Sequence, residues 1–217
     1  MITGMTAQAY RPFLDILVAH TDLPLPEGCD TWGWKTVRPD LRTRDGFRWP
    51  WPGGVVTDPH ATPGGSTCPS GETGGFSIAK NWHGARAGGH GGGTILLLAY
   101  ARGDVLAEDA CALRVAAAHV ADVIDVHRLV RSECAGAYLA GADLAGADLT
   151  GADLPGVYLA GADLTRTSLR RANLTDAYLP AVDLAYADLA DACLTGANLA
   201  YAENLDTVRP LNLLTYD

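Results

Sequence analysis

From Leu139 to Leu199 a leucine stands at every fifth position, thirteen times without a miss. Two residues before each leucine comes a small one: alanine, except for Val157, Thr167 and Val182. The residue between them is usually Asp, Asn or Tyr. A period of five matches neither the 3.6 of a helix nor the 2 of a strand. The chain must instead turn a corner every five residues, pointing each leucine and its small neighbour inward and the residue between them outward. Four such sides close a square of twenty residues. Squares can stack at the strand spacing of about 4.7 to 4.9 Å, each turn supplying backbone partners to the next. Leucine beside a small residue fills a narrow square without overpacking.

The outward positions test the four-sided reading independently, because residues twenty apart should lie in one column. Tyr138, Tyr158 and Tyr178 are spaced in this way, as are Asp143, Asp163 and Asp183, with Glu203 next. Two further columns read Asp148, Ser168, Asp188 and Asp153, Asn173, Cys193. Three or five sides per turn would scatter the tyrosines.

The runs AGADLAGADLTGADL and RRANL resemble the pentapeptide-repeat family, over residues 132–203, with Ser132 and Cys134 as a degenerate first repeat. The resemblance implies a right-handed quadrilateral β-helix of about three coils. It also brings two functional expectations. Some members imitate duplex DNA and bind bacterial gyrase or topoisomerase, and similar proteins commonly dimerise through their C-terminal ends. Thirteen repeats make a rod of only about 15 Å, whereas one DNA turn occupies about 34 Å. Arg166, Arg170 and Arg171 also interrupt the acidic surface. DNA mimicry is therefore the alternative reading.

At the far end Asn204 falls where a leucine is due and Leu205 comes one residue late. Residues 204–217, with Leu211, Leu213, Leu214 and Tyr216, are expected to cap the last turn or to join a second copy there.

Residues 1–131 obey different rules. All five tryptophans and all six histidines lie there, and the charge is nearly balanced, whereas residues 134–203 hold nine acids against three bases. This half is expected to be a small α+β domain. Tyr10, Phe13, Leu14, Leu17 and Val18 share a helical face that stops before Thr21, with Pro12 in the first turn. Extended segments are expected at residues 32–37 and 46–49 around the turn at Arg44-Asp45-Gly46, with the tryptophans in the core. A loop over residues 52–75 leads to a short helix from Phe76 to Arg86, and Thr94–Ala101 is a continuous apolar strand. Residues 110–131 fit both periods: Val120, Ile124 and His127 space as a helix, while Leu113, Val115 and Ala117 alternate. This stretch should lead into the first coil and close its open end. Gly46-Phe47, Gly74-Gly75-Phe76 and Asp125-Val126-His127-Arg128-Leu129 resemble an uncharacterised domain found ahead of pentapeptide repeats in actinobacterial and phage proteins, which implies no known activity.

Chemistry finds little footing. The glycine-rich segment from His83 to Gly93 precedes a strand and lacks a Gly-Lys-Ser/Thr ending, so a phosphate loop is not expected. Cys68, His83 and His90, with His60, match no zinc spacing, and no metal or cofactor is expected. There is no GxSxG, SxxK or HExxH, and the trio Glu72, His83 and Asp104 has nothing to mark it as catalytic. Five widely spaced cysteines without a CxxC pair read as reduced, mostly buried thiols. The opening residues carry no basic-then-apolar leader, and no apolar run nears the roughly 18 to 20 residues of a membrane span. A cytoplasmic protein is expected. A net charge of −9 disfavours direct nucleic-acid or membrane binding.

The expectation is a non-enzymatic interaction scaffold for a protein partner of unknown identity. Its candidate contact face is the tyrosine column Tyr138, Tyr158, Tyr178 together with the column Asp143, Asp163, Asp183. A ligand-binding or enzymatic activity in residues 1–131 is the remaining alternative.

Overall fold

The computed structural model describes residues 10–43, 46–67, 74–82 and 93–209. From Cys134 onward each five-residue side repeats one backbone geometry. A leucine carbonyl accepts from the amide three residues on, as in Ala142 N to Leu139 O at 3.0 Å. The residue before that donor has positive φ, 68° at Gly141. This is the pattern of a type II turn, which also favours proline at the preceding position. Pro155 and Pro180 occupy that position.

Between corners the chain pairs with the next turn. Tyr138 bridges Tyr158, Asp143 bridges Asp163, Asp148 bridges Ser168 and Asp153 bridges Asn173, all parallel and twenty residues apart. Amides reach in both directions: Leu139 N donates to Tyr158 O at 2.8 Å, and Tyr158 N to Ala137 O at 2.9 Å. Four sides per turn follow directly. Leu139 to Leu184 are buried, as are the small residues two before them. Thr167 fits because its hydroxyl donates to Leu144 O at 2.7 Å.

The leucine register breaks at Asn204, but the coil does not end there. Asn204 adopts φ 56° and is followed by a short 3-10 segment at Leu205–Thr207. Arg209 then bridges Asp188, twenty-one residues away rather than twenty. Residues 204–209 are thus a side lengthened by one residue, with Val208 buried, where a cap or dimer contact was expected. The rest of that expectation, residues 210–217 with Leu211, Leu213, Leu214 and Tyr216, lies outside the described residues.

Ahead of the coil lie β1 (Arg11–Pro12), α1 (Phe13–Thr21), β2 (Thr31–Val37), β3 (Val55–Thr57), β4 (Phe76–Ala79), β5 (Thr94–Tyr100), β6 (Val105–Glu108), β7 (Ala112–Val115), β8 (Ala117–Asp125) and α2 (Val126–Glu133). The coil opens with β9 (Ala137–Tyr138). Seven strands form one antiparallel sheet in the order β3-β8-β5-β2-β4-β7-β6. Strand β5 is apolar and buried from Ile95 to Tyr100, where it is covered on both faces. Ile95 and Leu97 join one core, and Leu96, Leu98 and Tyr100 the other.

The first of these cores runs without interruption into the coil. Phe13, Ile16 and Leu17 of α1, Trp34, Trp82, and Leu129 and Val130 of α2 pack in one cluster with Cys134, Leu139 and the leucines beyond. Cys134 stands in the leucine position, five residues before Leu139, and is fully buried. Strand β1 pairs in parallel with β9, placing Arg11 opposite Ala137 and Pro12 opposite Tyr138. The edge of the first turn is thereby paired rather than left open. The Asp125 carboxylate caps α2 by accepting from Arg128 N at 3.1 Å.

Several local expectations change. Arg11 precedes a proline and is extended, so the helix starts at Phe13, with Pro12 as its N-cap, and runs through Thr21; Tyr10 stands outside it. The segment 46–49 is reduced to a single bridge, Arg42 with Arg48, and Arg44 and Asp45 are outside the described residues. The loop over 52–75 contains β3. The helix expected from Phe76 is the inner strand β4: Phe76 and Ile78 face one core and Ala79 the other, a period of two hidden in four residues. In residues 110–131 alternation prevails until Asp125. A bulge opposite Leu97 and Leu98 shifts the parity of β8, so that Val120 and Ile124, four apart, face opposite cores. Trp34, Trp49 and Trp82 are buried as expected, Trp32 is half-buried, and Trp51 is exposed. Of the four cysteines described, all free, only Cys134 is buried.

A shared core makes a thermodynamic prediction. Leu164→Ala, at a fully buried position in the coil, should cost about 2 to 5 kcal/mol. Every tryptophan lies outside the coil, so fluorescence reports the sheet region alone. The denaturation midpoint read by fluorescence should fall together with that read by circular dichroism; an unchanged fluorescence transition would mean that the two regions unfold independently.

Candidate functional site on the faces of the coil

The outward aspartates have two oxygens and use one of them structurally. Oδ1 of Asp143, Asp163 and Asp183 accepts from the backbone N of Ala145, Thr165 and Ala185, at 3.3, 3.0 and 3.0 Å. The same bond recurs at Asp148, Asn173, Asp188 and Asn198. An Asp or Asn at this position therefore satisfies an amide at the corner that no backbone carbonyl takes. At two positions a proline removes that amide. Asp153 is followed two residues on by Pro155, which has no N–H, and its Oδ1 accepts from Asn173 Nδ2 instead, at 2.9 Å. Tyr178, which has no carboxylate to offer, is likewise followed by Pro180.

The second carboxylate oxygens project from the coil, and their charge is balanced unevenly. Arg170 pairs with Asp188 at 3.1 Å and Arg171 lies 3.9 Å from Asp191. Among the described ion pairs none involves the Asp143, Asp163, Asp183 column, whose next member, Glu203, is exposed. The Asp148 carboxyl is held below the usual range by hydrogen bonds from the Thr150 side chain and backbone. That of Asp188 is lowered by the Ala190 amide, with Arg170 adding to it.

The tyrosine column is a stack. Ring centroids are 4.8 Å apart from Tyr138 to Tyr158 and again from Tyr158 to Tyr178, with interplanar angles of 17° and 27°. Tyr10 packs edge-on against Tyr158 at 4.8 Å and lies 6.4 Å from Tyr138. Part of this face is thus occupied by the chain itself. Desolvation raises the Tyr158 phenol, with its neighbours in the stack adding to the shift.

Sequence periodicity gave no hint of Tyr10, which precedes the repeats by more than a hundred residues. It also passed over the corner position. In the first turns this is glycine, but further on it is Arg166, Arg171, Asp176, Ala181, Tyr186, Asp191 and Tyr201, all with φ between 53° and 59°. Non-glycine residues hold that conformation at roughly 1 to 2 kcal/mol each. Tyr186 and Tyr201 stand well out into solvent, on the two corners that flank the Asp143, Asp163, Asp183 face.

Cys193, last in its column, is exposed, with its sulfur 3.3 Å from Thr175 Oγ1 and 3.5 Å from Thr195 Oγ1. The hydrogen bond with Thr175, supported by those with Thr195, lowers the thiol to about 7. Burial pushes the Cys134 thiol up to about 12. Cys68, Glu72, His83 and His90, and residues 83–92 of the glycine-rich segment, lie outside the described residues. Of the other residues considered for metal or catalysis, His60 is exposed, its backbone N donating to Asp58 Oδ1 at 3.0 Å, and Asp104 is half-buried in a short 3-10 segment. Among the described residues no three His, Cys, Asp or Glu side chains cluster as a metal site would require, and no helix is long and apolar enough to cross a membrane.

The family model described as pentapeptide repeats matches residues 132–171 and 162–199, in eight copies. A search of the curated proteins found no match.

Two predictions follow from these side chains. Asp163→Ala removes the acceptor at its corner and should destabilise by about 1 kcal/mol, whereas Asp163→Asn keeps it and should be near neutral in chemical denaturation. Alkylation by iodoacetamide should mark Cys193 in the folded protein, its rate rising as the pH passes through about 7. Cys134 should react only on unfolding.

Proposed function

We propose that this chain, whose C-terminal part carries pentapeptide repeats, is a non-enzymatic scaffold that binds a protein partner through the outside of its coil. We take the coil to be right-handed, with about three turns. The observation that supports this reading most is the fixing of the outward carboxylates. Each aspartate of the Asp143, Asp163, Asp183 column is held at its corner by a backbone amide, so it loses little freedom when a partner arrives.

The acidic column is the better contact face of the two. Tyr10 already covers Tyr158, so Tyr138, Tyr158 and Tyr178 serve first as a stack that fastens the segment before α1 to the coil. The acidic column carries no described ion pair, and exposed Tyr186 and Tyr201 stand beside it as aromatic side chains that a partner could cover. A partner with basic side chains at similar spacing would fit it. A gyrase or topoisomerase is one such candidate, although the arginine pairs at Asp188 and Asp191 reduce any likeness to a DNA backbone.

Replacing Asp143, Asp163 and Asp183 together by Asn removes three charges but keeps the three amide acceptors. The variant should fold as wild type and lose at least tenfold in affinity for a partner captured by the intact chain, read by pull-down and then titration. Undiminished binding would exclude this face. A supercoiling assay separates the gyrase case: an inactive wild type removes it.

A further inference from the structure

We infer that the exposed pair Arg42 and Arg48 docks on the Asp143, Asp163, Asp183 column of a second copy of this chain. The inference rests on the coil-face reading and names its partner. Arg42 bridges Arg48 antiparallel, with Thr43 N donating to Phe47 O and Trp49 N to Leu41 O, both at 2.9 Å. The two arginines therefore stand directly opposite each other, their Cβ atoms about 4.5 to 5.5 Å apart, where like charges oppose the pairing that holds them. Within the chain the relief is partial. Arg42 Nε lies 3.6 Å from Asp40 Oδ2 and its Nη1 donates to Gly46 O at 2.9 Å, whereas Arg48 enters none of the described ion pairs. Their seat is firm: Leu41 and Trp49 are buried, and Phe47, Trp49 and Phe76 form a ring cluster with centroids 5.5 to 5.7 Å apart. A charged pair held in this way loses little freedom on binding.

The acidic column carries the matching pattern. Asp143 bridges Asp163 and Asp163 bridges Asp183, so the carboxylates repeat at the turn spacing of about 4.7 to 4.9 Å, close to that of the arginines. Oδ1 of each holds its corner amide, and at Asp183 it also accepts from Asn204 Nδ2 at 2.8 Å. The second oxygen of each has no described partner and is open to a guanidinium N–H. Exposed Tyr186 and Tyr201 beside the column add ring faces on which a guanidinium stacks, a contact that favours arginine over lysine. Among the described ion pairs none joins Arg42 or Arg48 to the column within one chain, so a second copy brings the two patterns together. A net charge of −9 on each copy opposes that approach. At about 0.15 M salt, however, charges more than about 8 Å apart are largely screened, and the touching pairs decide.

Two variants of the intact chain divide the contact between them. Arg42→Glu with Arg48→Glu spoils one side, and Asp143→Asn, Asp163→Asn and Asp183→Asn together spoil the other while keeping the corner acceptors. In sedimentation velocity at about 0.15 M salt the wild type should self-associate, and each variant, folded by circular dichroism, should do so about tenfold more weakly or less. Mixed, the two variants should form a one-to-one complex, because each keeps the side that the other lacks. A wild type that stays monomeric at millimolar concentration overturns the inference, as does self-association that either variant leaves unchanged or a mixture that forms no complex. Should the Glu variant not fold, Arg42→Gln with Arg48→Gln takes its place under the same criteria. A monomeric wild type whose captured partner is still lost in the Asn variant would sink this inference alone and leave the coil-face reading standing.

Discussion

Backbone hydrogen bonding between successive turns, each bridging residues twenty apart, governs this molecule. No side of the coil is stable alone: beyond the bonds at its corners, its amides and carbonyls find partners in the turns above and below. That requirement forces every turn to the same perimeter, and so a leucine and a small residue recur at fixed places. A single extra residue is absorbed only where a left-handed residue, Asn204, and a 3-10 segment can take up the slack. The pairing then resumes at Arg209.

Such a stack has two ends, and the chain treats them differently. At the first, β1 pairs with the opening strand while α1 and α2 lay apolar side chains over the leucines, so that Leu139 is as deeply buried as Leu164. Toward the other, burial fades. Leu189 is 8% exposed, and Leu194, Leu199 and Leu205 are only half-buried. The sheet is therefore no appendage. One of its two cores is the beginning of the coil's core, and this continuity explains why a strand as apolar as β5 faces hydrophobic partners on both sides.

What could be read from the sequence and what could not divide along one physical line. The coil is a repeating local rule, and thirteen repetitions of it made the four-sided turn and its columns legible. The sheet has no repeat, and its elements are short. Strand β4 spans four residues, and the parity of β8 shifts at a bulge that only its neighbour imposes. Tyr10 was read as part of a helical face because its spacing allowed it, yet Pro12 keeps Arg11 extended and Tyr10 meets a tyrosine stack far along the chain. Trp82 lies three residues after a strand that was read as a helix.

Surface residues of a coil like this carry two meanings at once, and the corners show how to separate them. Glycine suits a positive φ, so its replacement by Arg, Asp, Ala or Tyr from Arg166 onward runs against backbone preference. Among these replacements Gly196 returns, where a Cβ would crowd the exposed Asp176 carboxylate one turn below, a side chain free to turn aside. At Gly141, Gly146, Gly151 and Gly161 a Cβ would meet nothing within 4 Å, so those glycines answer to the backbone alone. The outward aspartates have the same double character, because the oxygen that holds a corner would be retained whether or not anything binds. What points to a partner is a carboxylate so held that also meets no described ion pair, as in the Asp143, Asp163, Asp183 column. Exposed tyrosines at strained corners say more, since packing gains nothing from them and the backbone would be easier without them.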